Sequence, residues 1–400
     1  MKCILAPFNP STVSEYFDTS VVLPNINVTA SSINNIVKGL LNLNEHLLVV
    51  TTSMEDTSNT VYVSDKIKII VVGCYKPFIL CRLFPNLKSL ADKIYKAIVP
   101  YKNEISLLHA HWCYEFALAA SRFDDGIPVY CTVRDWAPVI YDSISSFNSL
   151  YSFLAKFYWR YKITIMYKVL SNSKINFIAN SEYTCRLLNE EGIKGCVIHN
   201  SISEDLIIEN IPTISCRNNI VSIAGSIDDN RKNIKTLIDA FEVINKRFPS
   251  CHLILVGDYH LNKGIHKLVK EKRLLSSVTF TGRLNRKDVM KQIDASFCMI
   301  HPALEETFGN ILIEAMARGV FCIGGVASGA VPHVLGQGKY GLTCDISSSA
   351  DIVNAFNSLK DNTIQYEVMR YNALSNVKKS YSNDVIAYKH IRLYSEIRVI

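Results

Sequence analysis

Short apolar runs alternate with helix-like segments along this chain, and the pattern is played through twice. In the first half the apolar runs are residues 3–6, 47–51, 67–72, 107–111, 129–133 and 177–180. They show little polar alternation, as expected of parallel strands buried on both faces. Helical patterns fall between several of them, at 33–43, 87–99, 115–122 and 150–170. The pattern restarts with apolar runs at 220–224, 252–256, 278–281, 296–300 and 320–323, separated by helical segments at 234–247, 265–273, 286–293 and 309–318. Two rounds of strand–helix alternation predict two doubly wound, Rossmann-like α/β domains. The length of 400 residues suits two domains of middling size. The boundary is expected within 201–219, a stretch holding Glu204, Asp205, Pro212, Asn218 and Asn219. We therefore expect a first domain over 1–205, a second over 206–383, and a last helix over 384–400 that packs back on the first. Ligands in such sheets bind beyond the carboxyl ends of the strands, so two facing domains make a cleft and the chemistry belongs in loops that follow strands.

Composition narrows the function classes. A chain that is 48% hydrophobic and 20% charged is a folded globular protein, not a disordered scaffold. No apolar run reaches the ~18 residues of a membrane-spanning helix, and the apolar start at Ile4 and Leu5 ends too soon for a signal peptide, so a cytoplasmic protein is expected. The twelve cysteines contain no C-x-x-C, which argues against zinc and redox motifs and for reduced core thiols. A net charge of +7 admits an anionic small molecule, an anionic membrane face or nucleic acid. Nucleic acid ranks last, because no RNP pattern, zinc finger or long basic tail is present.

The most informative stretch is 301–319, which reads strand, loop, helix, glycine, strand. A helix start at Phe308, Gly309 and Asn310 would present backbone N–H groups to a phosphate, and Gly309 would let a ligand approach closely. Glu306 stands in the loop and Glu314 about one and a half turns into the helix. One carboxylate suits a sugar hydroxyl and the other a ribose. The alternative is a capping Glu306 and a surface Glu314.

With these residues the chain resembles a known family. The run ETFGNILIE from Glu306 to Glu314 looks like the E-x7-E signature of retaining glycosyltransferases of the glycosyltransferase family 4 type. AMARG at 315–319, VTFTGR at 278–283 and GLT at 341–343 fit the same pattern, and AGS at 224–226 with RKN at 231–233 and LIDAF at 237–241 resembles the family's donor loop. In the first half HAHW at 109–112, ANSE at 179–182 and IHN at 198–200 resemble it more weakly. The resemblance implies a GT-B architecture of two Rossmann-like domains with a nucleotide diphosphate sugar held mainly by the second. It implies that Lys232 contacts the donor pyrophosphate, that Glu306 lies by the donor sugar, that Glu314 binds the ribose, and that Phe308, Gly309 and Asn310 form the turn beside sugar and phosphates. Gly225, Ser226, Arg231, Arg283 and Thr307 complete the expected donor site, with Glu306, Arg134 and Lys232 as catalytic candidates.

The leaving diphosphate needs preorganised positive charge. The chain contains no D-x-D, since Asp228 and Asp229 are adjacent, so metal-independent transfer with retention of configuration is expected, with no metal and no resident cofactor. The sequence departs from the family pattern at three places. Ser226 stands where an arginine is usual; either Arg231 compensates or the diphosphate is held less tightly. Thr29-Ala30-Ser31-Ser32 stands where a Gly-Gly pair is common before the first helix, with Ser31 or Ser32 as N-cap. Arg134 stands where many members have histidine. It either faces the cleft and steadies the leaving phosphate or the acceptor, or belongs to a surface arrangement with Asp135. His111, Ser31, Ser32 and Asp135 are the acceptor-side candidates. His109 and His111 share one strand face, so one of them reaches the acceptor or both are structural.

Residues 336–341 match G-x-G-x-x-G but do not sit between a strand and a helix, so they read as a turn before a short strand. Two basic, aromatic stretches, 75–102 and 151–168, suit either an anionic membrane or ordinary half-buried helices. The expected activity is sugar transfer to a hydroxyl of a glycan or lipid-linked glycan, by a cytoplasmic protein that touches the inner face of the membrane at most peripherally. A sugar-nucleotide epimerase, a phosphorylase and a catalytically silent partner subunit of the same fold remain open.

Overall fold

The computed structural model describes residues 1–26, 31–76, 83–123, 126–144, 150–214 and 217–396. The chain divides into two compact units, Met1–Ser201 with Asn383–Ile400, and Ile202–Ser382.

The first unit is built on an eight-stranded sheet: β1 (Lys2–Leu5), β2 (Leu47–Ser53), β3 (Thr60–Val63), β4 (Ile67–Gly73), β5 (Leu107–His111), β6 (Val129–Val133), β7 (Ile175–Ala179) and β8 (Gly195–Val197). Its order is β3-β4-β2-β1-β5-β6-β7-β8, parallel throughout except for β3 against β4. Apolar side chains cover both faces. Along β1, Cys3 and Leu5 enter one core cluster while Ile4 enters the other. This is why the strands read as unbroken apolar runs. The edge strands β3 and β8 carry no fully buried residue, and neither was expected from sequence.

The first helix runs Ser31–Asn42, so Ser31 and Ser32 lie inside it and do not precede it; Thr29 and Ala30 fall outside the described residues. Helix Asn383–Glu396 belongs to this unit and packs on Ser31–Asn42. Gly39 makes the approach possible, because a Cβ there would stand 2.7 Å from the Asn383 carbonyl oxygen. Four further helices were not legible as apolar periods: Ala137–Ser143, Glu182–Glu190, Ser349–Asp361 and Thr363–Ser380. Glu182–Glu190 is capped by Ser181, whose hydroxyl accepts from Thr184 N, and Ser349–Asp361 by Ser348 in the same way.

The second unit carries a six-stranded parallel sheet of β9 (Asn219–Ser226), β10 (His252–Asp258), β11 (Val278–Gly282), β12 (Ser296–His301), β13 (Phe321–Gly325) and β14 (Leu342–Cys344). Its order is β11-β10-β9-β12-β13-β14. The order reverses between β9 and β12, which makes the loops after those two strands the expected ligand site of a doubly wound sheet. Residues 336–341 form a short 3-10 turn, Gly336–Gly338, leading into β14.

The ten described cysteines are unpaired and seven of them are buried; Cys81 and Cys216 lie outside the described residues. Burial pushes the Cys322 thiol up to about 12, so it is inert at neutral pH. Among the described residues no helix is long and apolar enough to cross a membrane, and no cluster of His, Cys, Asp and Glu is placed to hold a metal ion.

Candidate active site

In the second unit the two loops at the sheet's reversal point are tied together. Leu304 N, after β12, donates to Arg231 O, after β9, over 2.8 Å. That tie brings Lys232 and Glu306, far apart in sequence, into a direct ion pair. The Glu306 carbonyl accepts from Ala330 N at 2.8 Å, which fixes the loop from its other side. His301 Nε2 stands 3.4 Å from Glu306 Oε1. Burial pushes the Glu306 carboxyl up, but the Lys232 ammonium and His301 outweigh it and hold it well below the usual carboxylate range.

The loop then turns into helix Asn310–Ala317. Gly309 occupies the N-cap at φ +89°, a left-handed conformation that a side chain would strain. The Phe308 ring is buried and meets the Tyr381 ring edge-on at 5.8 Å. Phe308 therefore anchors the turn by its side chain. One turn on, Glu314 is 9% exposed, which overturns the reading of it as a surface residue. Arg286 Nη2, from helix Arg286–Asp294, donates to Glu314 Oε1 at 3.0 Å. Burial pushes the Glu314 carboxyl up and Arg286 pulls it back in part. Sequence reasoning missed Arg286, since an arginine at the start of an ordinary surface helix carries no distinguishing signal.

The donor loop departs from expectation at Arg231. Its guanidinium is held by Asp229 Oδ2 at 2.9 Å, and its amide by Asp229 Oδ1 at the same distance. Arg231 thus braces its own 3-10 turn, Asn230–Lys232, so the structure does not support the expectation that it compensates for Ser226. Asp228 also has a structural task, accepting from Ile265 N at 2.9 Å and from His260 N at 3.0 Å. Gly225 is exposed, and a Cβ placed there would meet nothing within 4 Å. Ser226 beside it is half-buried. Arg283 lies at the carboxyl end of β11, paired with Asp258 at 2.7 Å and largely exposed. Thr307 and Asn310 flank the turn between them and are half-buried.

In the first unit, Arg134 follows β6 and is 7% exposed, which rules out the surface arrangement. Its Nη1 donates to Ser32 Oγ at 3.1 Å and to Asn200 Oδ1, and its Nε donates to His111 Nδ1 at 3.1 Å. Accepting through Nδ1 leaves the proton of neutral His111 on Nε2. Burial pulls the Arg134 guanidinium down to about 9. Asn200 was not foreseen as a partner, although it ends the IHN motif. Asp135 does not pair with Arg134; it accepts from Tyr114 OH at 2.9 Å. Ser31 opens its helix, half-buried. His109 is structural: Nδ1 meets Tyr394 OH at 2.6 Å and Nε2 meets Thr132 Oγ1 at 2.7 Å.

A lysine–glutamate pair ahead of a glycine-capped helix, at the reversal point of a doubly wound sheet, suits an anionic ligand with hydroxyl groups. Comparison with known proteins agrees. The family model "Glycosyltransferase Family 4" matches residues 29–206, and "Glycosyl transferases group 1" matches 177–375. Among curated proteins, N-acetyl-alpha-D-glucosaminyl L-malate synthase of Bacillus anthracis is 28% identical over 167 residues, 42% of either chain. Phosphatidyl-myo-inositol mannosyltransferase of Mycobacterium tuberculosis is 26% identical over 185 residues, 44% of this chain and 47% of that one. The matched stretch thus spans under half the length of these relatives. Among solved structures, sucrose-phosphate synthase from Thermosynechococcus elongatus aligns over the whole of both chains with a TM-score of 0.76 at 17% identity. HepE of Anabaena, solved with UDP-glucose, aligns over 99% of this chain and all of its own with a TM-score of 0.67 at 16% identity. The two family models together run from residue 29 to residue 375, and on that ground the chain belongs to the glycosyltransferases of the family 4 type, with the GT-B fold.

Proposed function

We propose that this protein moves a sugar from a nucleotide diphosphate sugar to a hydroxyl of a glycan or lipid-linked glycan, without a metal and with retention of configuration. The observation that carries the reading is the Lys232–Glu306 pair where the two reversal-point loops meet. Donor binding would exchange Lys232's partner, from the Glu306 carboxylate to the diphosphate. Glu306, relieved of that contact, accepts from a sugar hydroxyl, and the turn at Gly309 admits the phosphates close to the backbone. Glu314 accepts from the ribose hydroxyls. In the transfer the bond from the sugar's anomeric carbon to the diphosphate oxygen breaks and a bond to the acceptor oxygen forms. The acceptor's proton leaves with the diphosphate. Lys232 stabilises the charge that develops there, which fits a chain with no D-x-D. Uridine nucleotides are the first donors to test, because HepE was solved with UDP-glucose.

The test is a thermal-shift screen of UDP, GDP, ADP, CMP and their common sugars, with and without EDTA. One nucleotide should raise the midpoint, by about 2.7 kcal/mol of stabilisation at a hundredfold excess over its dissociation constant. The shift should survive EDTA and be lost in Lys232→Ala. The anomer formed, read by NMR, decides retention. A specific observation favours a second reading: Ser226 removes one cation from the family's donor loop, and Arg231 is spent on Asp229. No shift with any nucleotide, from folded protein, would sink the transferase reading and favour a silent partner subunit.

A further inference from the structure

Helix Leu150–Leu170 buries one side in the first unit, and its four cations are spread around it and not gathered on one face. Ala155, Ile165, Met166, Val169 and Leu170 are buried in the first unit. The opposite side carries Phe153, 50% exposed, and Phe157, 72% exposed, followed one turn on by exposed Arg160. Two large exposed aromatic rings one turn apart, next to a cation, form an apolar patch of the kind that marks an interaction surface.

Beside the two phenylalanines is a hollow of about 470 Å³ lined by Phe84, Pro85, Leu154, Phe157, Tyr158 and Tyr161. Lys88 stands at its edge, and Leu83 next to it is 51% exposed. A second hollow on the other side of Phe84 and Pro85 adds Lys76. Along this helix the charge is one-signed: no aspartate or glutamate occurs in the sequence between Asp142 and Glu182. Not every cation there serves the surface. Lys162 turns inward, 3.8 Å from the Tyr114 ring centre and 4.0 Å from that of Trp159.

We propose that this face of the first unit docks on an anionic phospholipid membrane, with Phe153 and Phe157 entering the acyl boundary and Lys88 and Arg160 meeting the headgroups. A second copy of the chain is a poorer occupant, because a twofold contact through this face would bring the same cations together with no counter-charge. Aromatic residues flanked by cations and free of acids match the apolar-to-anionic gradient of a lipid surface. The inference does not rest on the donor-site reading, and the two fail separately.

The test is flotation of the full chain with vesicles of phosphatidylcholine alone and of phosphatidylcholine mixed with phosphatidylglycerol. The protein should float with the anionic vesicles and not with the neutral ones. Phe153→Ser with Phe157→Ser, and separately Lys88→Glu with Arg160→Glu, should each cut the bound fraction at least about tenfold. Both double variants should keep the wild-type unfolding midpoint and nucleotide shift. Failure of wild-type protein to float with anionic vesicles overturns the proposal. So does undiminished flotation of both double variants, or a wild-type dimer that the Phe153→Ser, Phe157→Ser variant dissociates.

Discussion

Arg286 Nη2 lies 3.0 Å from Glu314 Oε1, so a carboxylate that burial pushes toward its neutral form is kept beside a guanidinium. Arg286 is itself partly solvated and loses little by being paired. The pair presents an oriented acceptor one turn above the glycine-capped helix start.

Glu314→Gln should therefore leave the unliganded protein at least as stable as wild type, because it removes a poorly solvated charge. Its nucleotide affinity should fall by about tenfold to a hundredfold, the range for losing a charged hydrogen-bond partner. Wild type should bind 2′,3′-dideoxy nucleotides as weakly as the variant binds the normal ones. Calorimetric titration decides. Equal discrimination by both proteins would remove Glu314 from the ribose.

Lys232→Met strands the mostly buried Glu306 carboxylate. It should cost about 1–3 kcal/mol of stability. Adding Glu306→Gln should recover most of that loss without restoring transfer. Urea denaturation of the two single variants and the double variant measures the coupling. Additive losses would show that the pair is not coupled in the folded protein.

Ser226→Arg restores a cation to the open end of β9, where Gly225 leaves space. Diphosphate affinity should rise about tenfold if the loop binds phosphate, from one added charged hydrogen bond. Unchanged affinity would argue that the loop is not a donor site.

Acid should destabilise the first unit well before its carboxylates titrate. His109, His111 and His390 are pulled below their ordinary value of 6.5, chiefly by burial and further by Arg134 at all three, by His390 at His109, by His109 and His390 at His111, and by Lys389 at His390. His390 falls to about 3. The unfolded chain takes protons near pH 6.5 that the folded one refuses, so stability present above that pH is lost as pH falls. The loss is up to about 4 kcal/mol per pH unit for three such groups. In the second unit the depressed Glu306 adds a loss of the same sign as pH falls below 4.5, while the raised Glu314 takes up its proton above 4.5 and has the opposite sign there. Denaturation midpoints measured stepwise down from neutral pH should fall steeply in wild type and less steeply in His390→Asn. A flat wild-type profile would contradict the burial of these rings.

The strands and the long amphipathic helices were legible in the sequence because burial on both sheet faces, or on one helix face, imposes an apolar period. The E-x7-E run, with a glycine inside it, likewise announced a loop–helix junction and the carboxylates on either side of it. Edge strands β3 and β8 left no such trace, since partial exposure erases the pattern, and helices started by Ser181 or Ser348 depend on a single capping hydroxyl. Partnership was the larger blind spot. That Arg134 is buried among Ser32, Asn200 and His111, and that Arg286 reaches Glu314, depend on side chains meeting across segments distant in the chain. Local sequence determines which segments must be buried and where the backbone must turn. Only the tertiary structure decides which cation faces which carboxylate, because ion pairs follow the register of strands and the packing of loops, which no local pattern encodes.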